Sequence, residues 1–82
     1  MSRQHHELKC KTQYYQAVEE GSKRFEIRKN DRDFREGDMV TLVEVVNEVA
    51  TGRKLKPVKI SYIFRGPGYG LLEGHCVFCW EE

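Results

Sequence analysis

No uninterrupted apolar run in this 82-residue chain exceeds the five residues of 76–80, far short of the ~20 that cross a bilayer as a helix. The opening Met1-Ser-Arg-Gln-His-His6 carries no apolar signal region. The expected location is therefore the cytoplasm, with no membrane partner. Cysteine is sparse and odd in number: Cys10, Cys76 and Cys79 predict reduced thiols rather than a disulfide framework. Repeats and linkers are lacking, so residues 1–82 are expected to form one domain with one small core and no separate catalytic domain. A large excess of one charge is also missing, the net charge being +1. With 39% hydrophobic and 33% charged residues, the chain is too apolar to be disordered.

Cys76-x-x-Cys79 beside His75, with His5 and His6 upstream, raises a zinc reading. The segment around them patterns as a strand, however, and strand positions three apart point to opposite faces. The prediction is two thiols packed in or under a sheet, with no metal and no cofactor.

Charge is focused where the total hides it. Six of the 14 Lys and Arg fall at Lys23, Arg24, Arg28, Lys29, Arg32 and Arg35, against Glu26, Asp31 and Asp33. Such a segment is either a solvated face or a positive surface for phosphate-bearing partners.

Alternation at residues 6–10 predicts a first strand with Leu8 and Cys10 inward and Lys9 outward. Thr12 suits a helix cap, Tyr14, Tyr15 and Val18 fall near one helical face, and Gly21 is a natural stop, which predicts a helix of about nine residues covering a sheet. From 23 to 29 the alternation places Phe25 and Ile27 on one face, expected inward, and Arg24, Glu26 and Arg28 on the other. Asn30-Asp31-Arg32-Asp33 is turn chemistry. Residues 39–46 read as a strand buried on both faces. There Glu44 is either a solvated edge position or part of a buried polar cluster. Thr51-Gly52 predicts a hairpin, residues 57–64 a fourth strand and 76–80 the last, after a loop rich in glycine. The architecture expected is mainly β, a small closed or nearly closed barrel with an early helix.

Taken together, His6-Glu-Leu-Lys, the helix ending at Gly21, the string Gly21-x-Lys23-x-x-Glu26-x-Arg28-Lys-Asn-Asp31-Arg32, Gly37-Asp38 and the strand end Tyr62-Ile-Phe-Arg65-Gly resemble ASCH domains of the PUA-like superfamily. More narrowly, they are similar to a small bacterial and phage family within it. The resemblance spans nearly the whole chain. It implies a PUA-like β-barrel with one or two short helices, and RNA binding or chemistry on nucleic-acid components. It also implies a cleft between the first helix and the barrel, lined by Lys23, Glu26 and Arg28, with Asn30, Asp31 and Arg32 at its rim. Lys9, Lys29, Tyr62 and Arg65 complete the candidate set for RNA or a nucleotide-like ligand, and Tyr62, Tyr69 or Phe34 would stack on a base.

Some ASCH relatives are amidohydrolases of acylated cytidines, which join the motif lysine to a threonine and a distant glutamate. Here Glu26 stands where that threonine would be, and Glu73 is the only acid of the loop at 65–74. An enzyme of this kind would use Lys23 and Glu26 for proton transfer. A protein-interaction accessory domain is the third reading.

Overall fold

The computed structural model describes residues 4–81. Seven strands and one helix follow in the order β1 (His5–Lys11), α1 (Thr12–Glu19), β2 (Phe25–Lys29), β3 (Met39–Val46), β4 (Val49–Lys54), β5 (Val58–Lys59), β6 (Tyr62–Arg65) and β7 (His75–Cys79). They build two sheets. In the first, β1 runs parallel to β3, and β4 and β5 each pair antiparallel with β3; the second has the antiparallel order β2-β7-β6. The fold is mainly β, and no strand ladder joins the two sheets into a closed barrel among the described residues.

The inward faces follow strand parity, since successive side chains alternate sides. In β1 His6, Leu8 and Cys10 are buried while their neighbours are exposed. Tyr15 and Val18 of α1 pack with Leu42, Ile60 and Phe78 into the core, but Tyr14 lies largely outside it. Thr12 does not cap the helix: it is the first helical residue, and Lys11 occupies the cap position without a side-chain bond.

Three further expectations are corrected. The β3–β4 hairpin turns at Asn47 and Glu48, both at positive φ, the backbone of a two-residue turn matched to strand twist. Thr51 and Gly52 lie inside β4, where Val45 pairs with Ala50 but Val43 with Lys54, so the glycine serves a bulge. The single strand expected over 57–64 is two strands in different sheets, because the chain crosses between them at buried Ile60, whose amide donates to Asp38 O while the Ser61 amide donates to Cys79 O.

The largest correction concerns β2. Phe25 and Ile27 are 43% and 59% exposed, whereas Glu26 is 6% exposed. Register gives the reason: Glu26 sits beside Phe78, which sits beside Ile63, and all three turn toward the first sheet. The charged face of β2 is the inward one.

Candidate functional site

The site is built from the end of α1. Gly21 takes φ 84, so its amide donates to Val18 O at 3.0 Å while the Ser22 amide donates to Ala17 O at 3.0 Å, the paired bonds of a Schellman stop. Lys23 N also donates to Ala17 O, at 3.1 Å. The root of Lys23 is thereby tied to the helix, two residues before β2 begins.

Lys23 Nζ donates to Glu26 Oε1 at 2.6 Å and to the Phe25 carbonyl at 2.7 Å, and Arg28 Nε donates to Glu26 Oε2 at 3.0 Å. Each carboxylate oxygen thus receives one cation. The side chains of Lys23 and Arg28 keep 18% and 25% of their surface in solvent, and the Lys23 ammonium lies 4.9 Å from the centre of the Phe25 ring. Lysine carries three donor hydrogens and arginine five, so both cations retain donors after these bonds.

This triad lines a cleft of about 650 Å³ between the β1–α1 junction and β2. Lys9, Lys11 and Lys29 line it as well, which among the described residues sets five cationic side chains against the single acid Glu26. Lys9, Lys11 and Lys29 make no side-chain hydrogen bond or ion pair among the described residues. Field lines from clustered cations concentrate in such a concavity and favour anions.

Arginine also closes the seam between the sheets. Arg28 donates from Nη2 to the Lys9 carbonyl, and Arg32 Nη1 donates to the Glu7 carbonyl at 2.8 Å. Both acceptors lie on the free edge of β1, where a strand partner would otherwise satisfy them. Cys10 lies buried at the back of the cleft; burial, followed by the Glu26 carboxylate, pushes its thiol above the usual range despite the opposing pull of Lys23 and Arg28.

The predicted site residues therefore divide. Lys9, Lys23, Glu26, Arg28 and Lys29 share one cleft. Asn30 instead accepts the Phe34 amide through Oδ1 at 3.0 Å, shaping the turn, and Arg65 Nη2 donates to Phe34 O at 2.8 Å. Neither Asn30, Asp31 nor Arg32 lines the cleft, and Tyr62 lies on the outer face of β6. Phe34 is no stacking platform: it is 1% exposed, held between His6 and Phe78. Glu73 lies outside the cleft. Residue reasoning missed Lys11, Tyr14 and His75, which do line it; Lys11 shares the outward parity of Lys9, the one signal available.

Two other polar clusters serve the fold. Buried Asp38 accepts from the Gln4 and Arg35 amides and pairs with His6 Nε2 at 2.8 Å. Burial raises its pKa, but the His6 bond and the two amides outweigh that effect and hold the carboxyl below the usual aspartate range. Glu44 belongs to a buried polar cluster, accepting from Thr51 Oγ1 at 2.8 Å with Arg53 Nη1 at 3.6 Å. Cys76 is buried and Cys79 half-exposed, on opposite sides of β7. No group of three His, Cys, Asp or Glu side chains is placed to hold a metal among the described residues, and no helix there is long and apolar enough to cross a membrane.

A curated relative, described as an uncharacterised 12.9 kDa protein in the GpA 3′ region of Escherichia phage P2, is 47% identical over 51 residues. The match covers 62% of this chain and 47% of that protein, so the chain spans about half of the relative's length. The family model described as a domain of unknown function (DUF3850) matches residues 5–79, which include every strand and the helix. The chain belongs to that family.

Proposed function

We propose that this protein is a cytoplasmic bacterial or phage domain of the ASCH type, with a PUA-like barrel plan, that binds RNA or a nucleotide-like ligand in the basic cleft. The observation that supports this most is the convergence of Lys23, Glu26 and Arg28 in one concavity, with Lys9, Lys11 and Lys29 around it. The lysines offer mobile point charges to phosphates, while Glu26 holds Lys23 and Arg28 in place, each with donor hydrogens left over for the ligand. Titrating labelled RNA at several salt concentrations tests the reading: affinity falls as salt rises, with a slope of about two to four phosphate contacts. Salt-independent binding, or none, refutes it.

The 2.6 Å contact between Lys23 Nζ and Glu26 Oε1 favours a second reading, hydrolysis of an acylated nucleoside with these two groups exchanging protons. Among the described residues the cleft is lined by no serine or threonine hydroxyl, and its one thiol, Cys10, is buried, which keeps this reading second. Turnover of acylcytidine that disappears in Lys23→Ala would promote it.

A further inference from the structure

The outer face of the second sheet is unusually apolar for a surface. Paired strand positions share a face, so the register places Phe25, Cys79 and Tyr62 in one row and Ile27, Val77 and Phe64 in the next. Lys29 and His75 form the third. Rows follow one another at about 7 Å, given ~3.4 Å per residue. Beyond them Tyr69 is 99% exposed, with its ring edge-on to Phe64 at 5.5 Å between centres. Tyr69 also holds φ 49, a left-handed backbone that costs a bulky residue free energy and is kept where the side chain is needed. A groove of about 230 Å³ runs between these rings.

We infer that this face is a stacking platform for the bases of single-stranded RNA whose phosphates run along the adjoining cleft. The inference rests on the RNA-binding reading and adds a second surface to it. Two features select this occupant over an apolar protein surface. First, Phe25 and Ile27 line both the groove and the basic cleft, so aromatic and cationic surfaces are continuous around the edge strand β2. Second, the third row ends in Lys29 and His75, which also line that cleft, so the platform becomes cationic where the backbone of a strand would leave it. Flat rings beside a positive groove are the common means of holding unpaired nucleotides without reading sequence. A duplex hides its base faces and gains nothing from such rings.

The test uses fluorescein-labelled oligouridine and a labelled RNA duplex of equal length, titrated against wild type, Tyr62→Ala, Tyr69→Ala, Tyr62→Phe and Lys9→Ala, with circular dichroism of each. Oligouridine binds more tightly than duplex, each tyrosine-to-alanine change lowers its affinity about 5- to 100-fold, and Tyr62→Phe retains it. The salt slope of the tyrosine variants stays that of wild type, because their phosphate contacts survive. If Lys9→Ala weakens binding while both tyrosine variants bind normally, the platform is refuted and the cleft reading stands. Absence of RNA binding by wild type removes both. Should the tyrosine variants leave RNA binding intact but abolish a concentration-dependent dimer in sedimentation, the face is a protein interface and the inference is wrong.

Discussion

Arg28 and Glu26 stand two residues apart on β2 and point to the same side, where Arg28 Nε donates to Glu26 Oε2 at 3.0 Å. Lys23 holds the other oxygen. The carboxylate therefore neutralises cations that would otherwise face the cleft, and it stabilises them there, because an unpaired charge in a partly dry site is costly. Two consequences of opposite sign follow for one substitution. Glu26→Gln is expected to lower stability by about 2 kcal/mol, below the range for a fully buried pair because both cations still reach water. It is also expected to tighten RNA binding at low salt, since the cleft loses its only acid. Denaturant melts and RNA titration on the same variant measure both, and a variant that binds more weakly would show that Glu26 contacts the ligand itself.

The inverted face of β2 separates Phe25 from Phe78. Phe78→Ala removes a fully buried ring and is expected to cost about 3–5 kcal/mol. Phe25→Ala removes a ring already 43% exposed and is expected to cost less than ~1 kcal/mol. Equal losses in denaturant would contradict the register of β2 on β7.

Elements whose apolar residues face the core were legible from the sequence: Leu8 and Cys10 on β1, Tyr15 and Val18 on α1, the buried run of β3. There hydrophobic pattern and burial agree, as they must where only apolar contact holds the element. In β2 they disagree. Alternation in Phe25-Glu-Ile-Arg28 marks two faces without saying which is inner, and the usual assignment presumes that charges cannot be buried. Lys23 and Arg28 lift that restriction by pairing with Glu26, while β6 and β7 supply apolar outer neighbours to Phe25 and Ile27. Conflicts of this sort concentrate where a surface is used for something other than stability.

The cleft was half legible. Its motif residues Lys23, Glu26 and Arg28, implied by the resemblance and in part by the strand parity that Glu26 and Arg28 share, do converge, because a five-residue strand with a fixed helix stop leaves them little choice of direction. Asn30 and Arg32 belong instead to the turn and the sheet seam: Asn30 accepts the Phe34 amide four residues on, as turn asparagines do, and Arg32 reaches the Glu7 carbonyl across the seam, a pairing that sequence spacing does not reveal. Similarly, Asn47 and Glu48 turn the hairpin expected at Thr51 and Gly52. Glycine offered the stronger local signal, and pairing with β3 decided otherwise.

The thiols should react in order of access. Cys79 is half-exposed, while Cys10 and Cys76 are buried with pKa values pushed up chiefly by that burial. Iodoacetamide near pH 8 is expected to label Cys79 in the native protein and all three thiols after denaturation. Mass spectrometry after a short pulse reads this directly; rapid native labelling of Cys10 would mean that the cleft opens to its floor.

Binding should depend on cleft lysines and not on basic residues elsewhere. Lys9→Ala and Lys29→Ala are each expected to weaken RNA binding and reduce the salt slope by about one. Lys54→Ala, on the exposed strand β4, is expected to change neither. Equal sensitivity at Lys54 would show diffuse attraction to a basic surface in place of a defined cleft.

Acid sensitivity should trace to Asp38. Its carboxyl is held below the ordinary aspartate pKa by His6 and by the Gln4 and Arg35 amides, against the upward push of burial. The unfolded chain therefore takes up a proton at this position before the folded one does. The stability this supplies is complete above the ordinary aspartate pKa and is lost as pH falls through the lower folded value. Asp38→Asn keeps the size of the side chain and one acceptor oxygen but cannot bond through a carboxylate. At neutral pH it is expected to cost about 1–3 kcal/mol, in line with loss of charge-assisted bonds at a buried site. The gap to wild type is then expected to narrow below about pH 4, where the unfolded wild-type aspartate protonates. Urea midpoints collected from neutral pH down to pH 3 check the shape of that curve. A gap that stays constant through the acid range would show that Asp38 acts by shape and neutral hydrogen bonding alone.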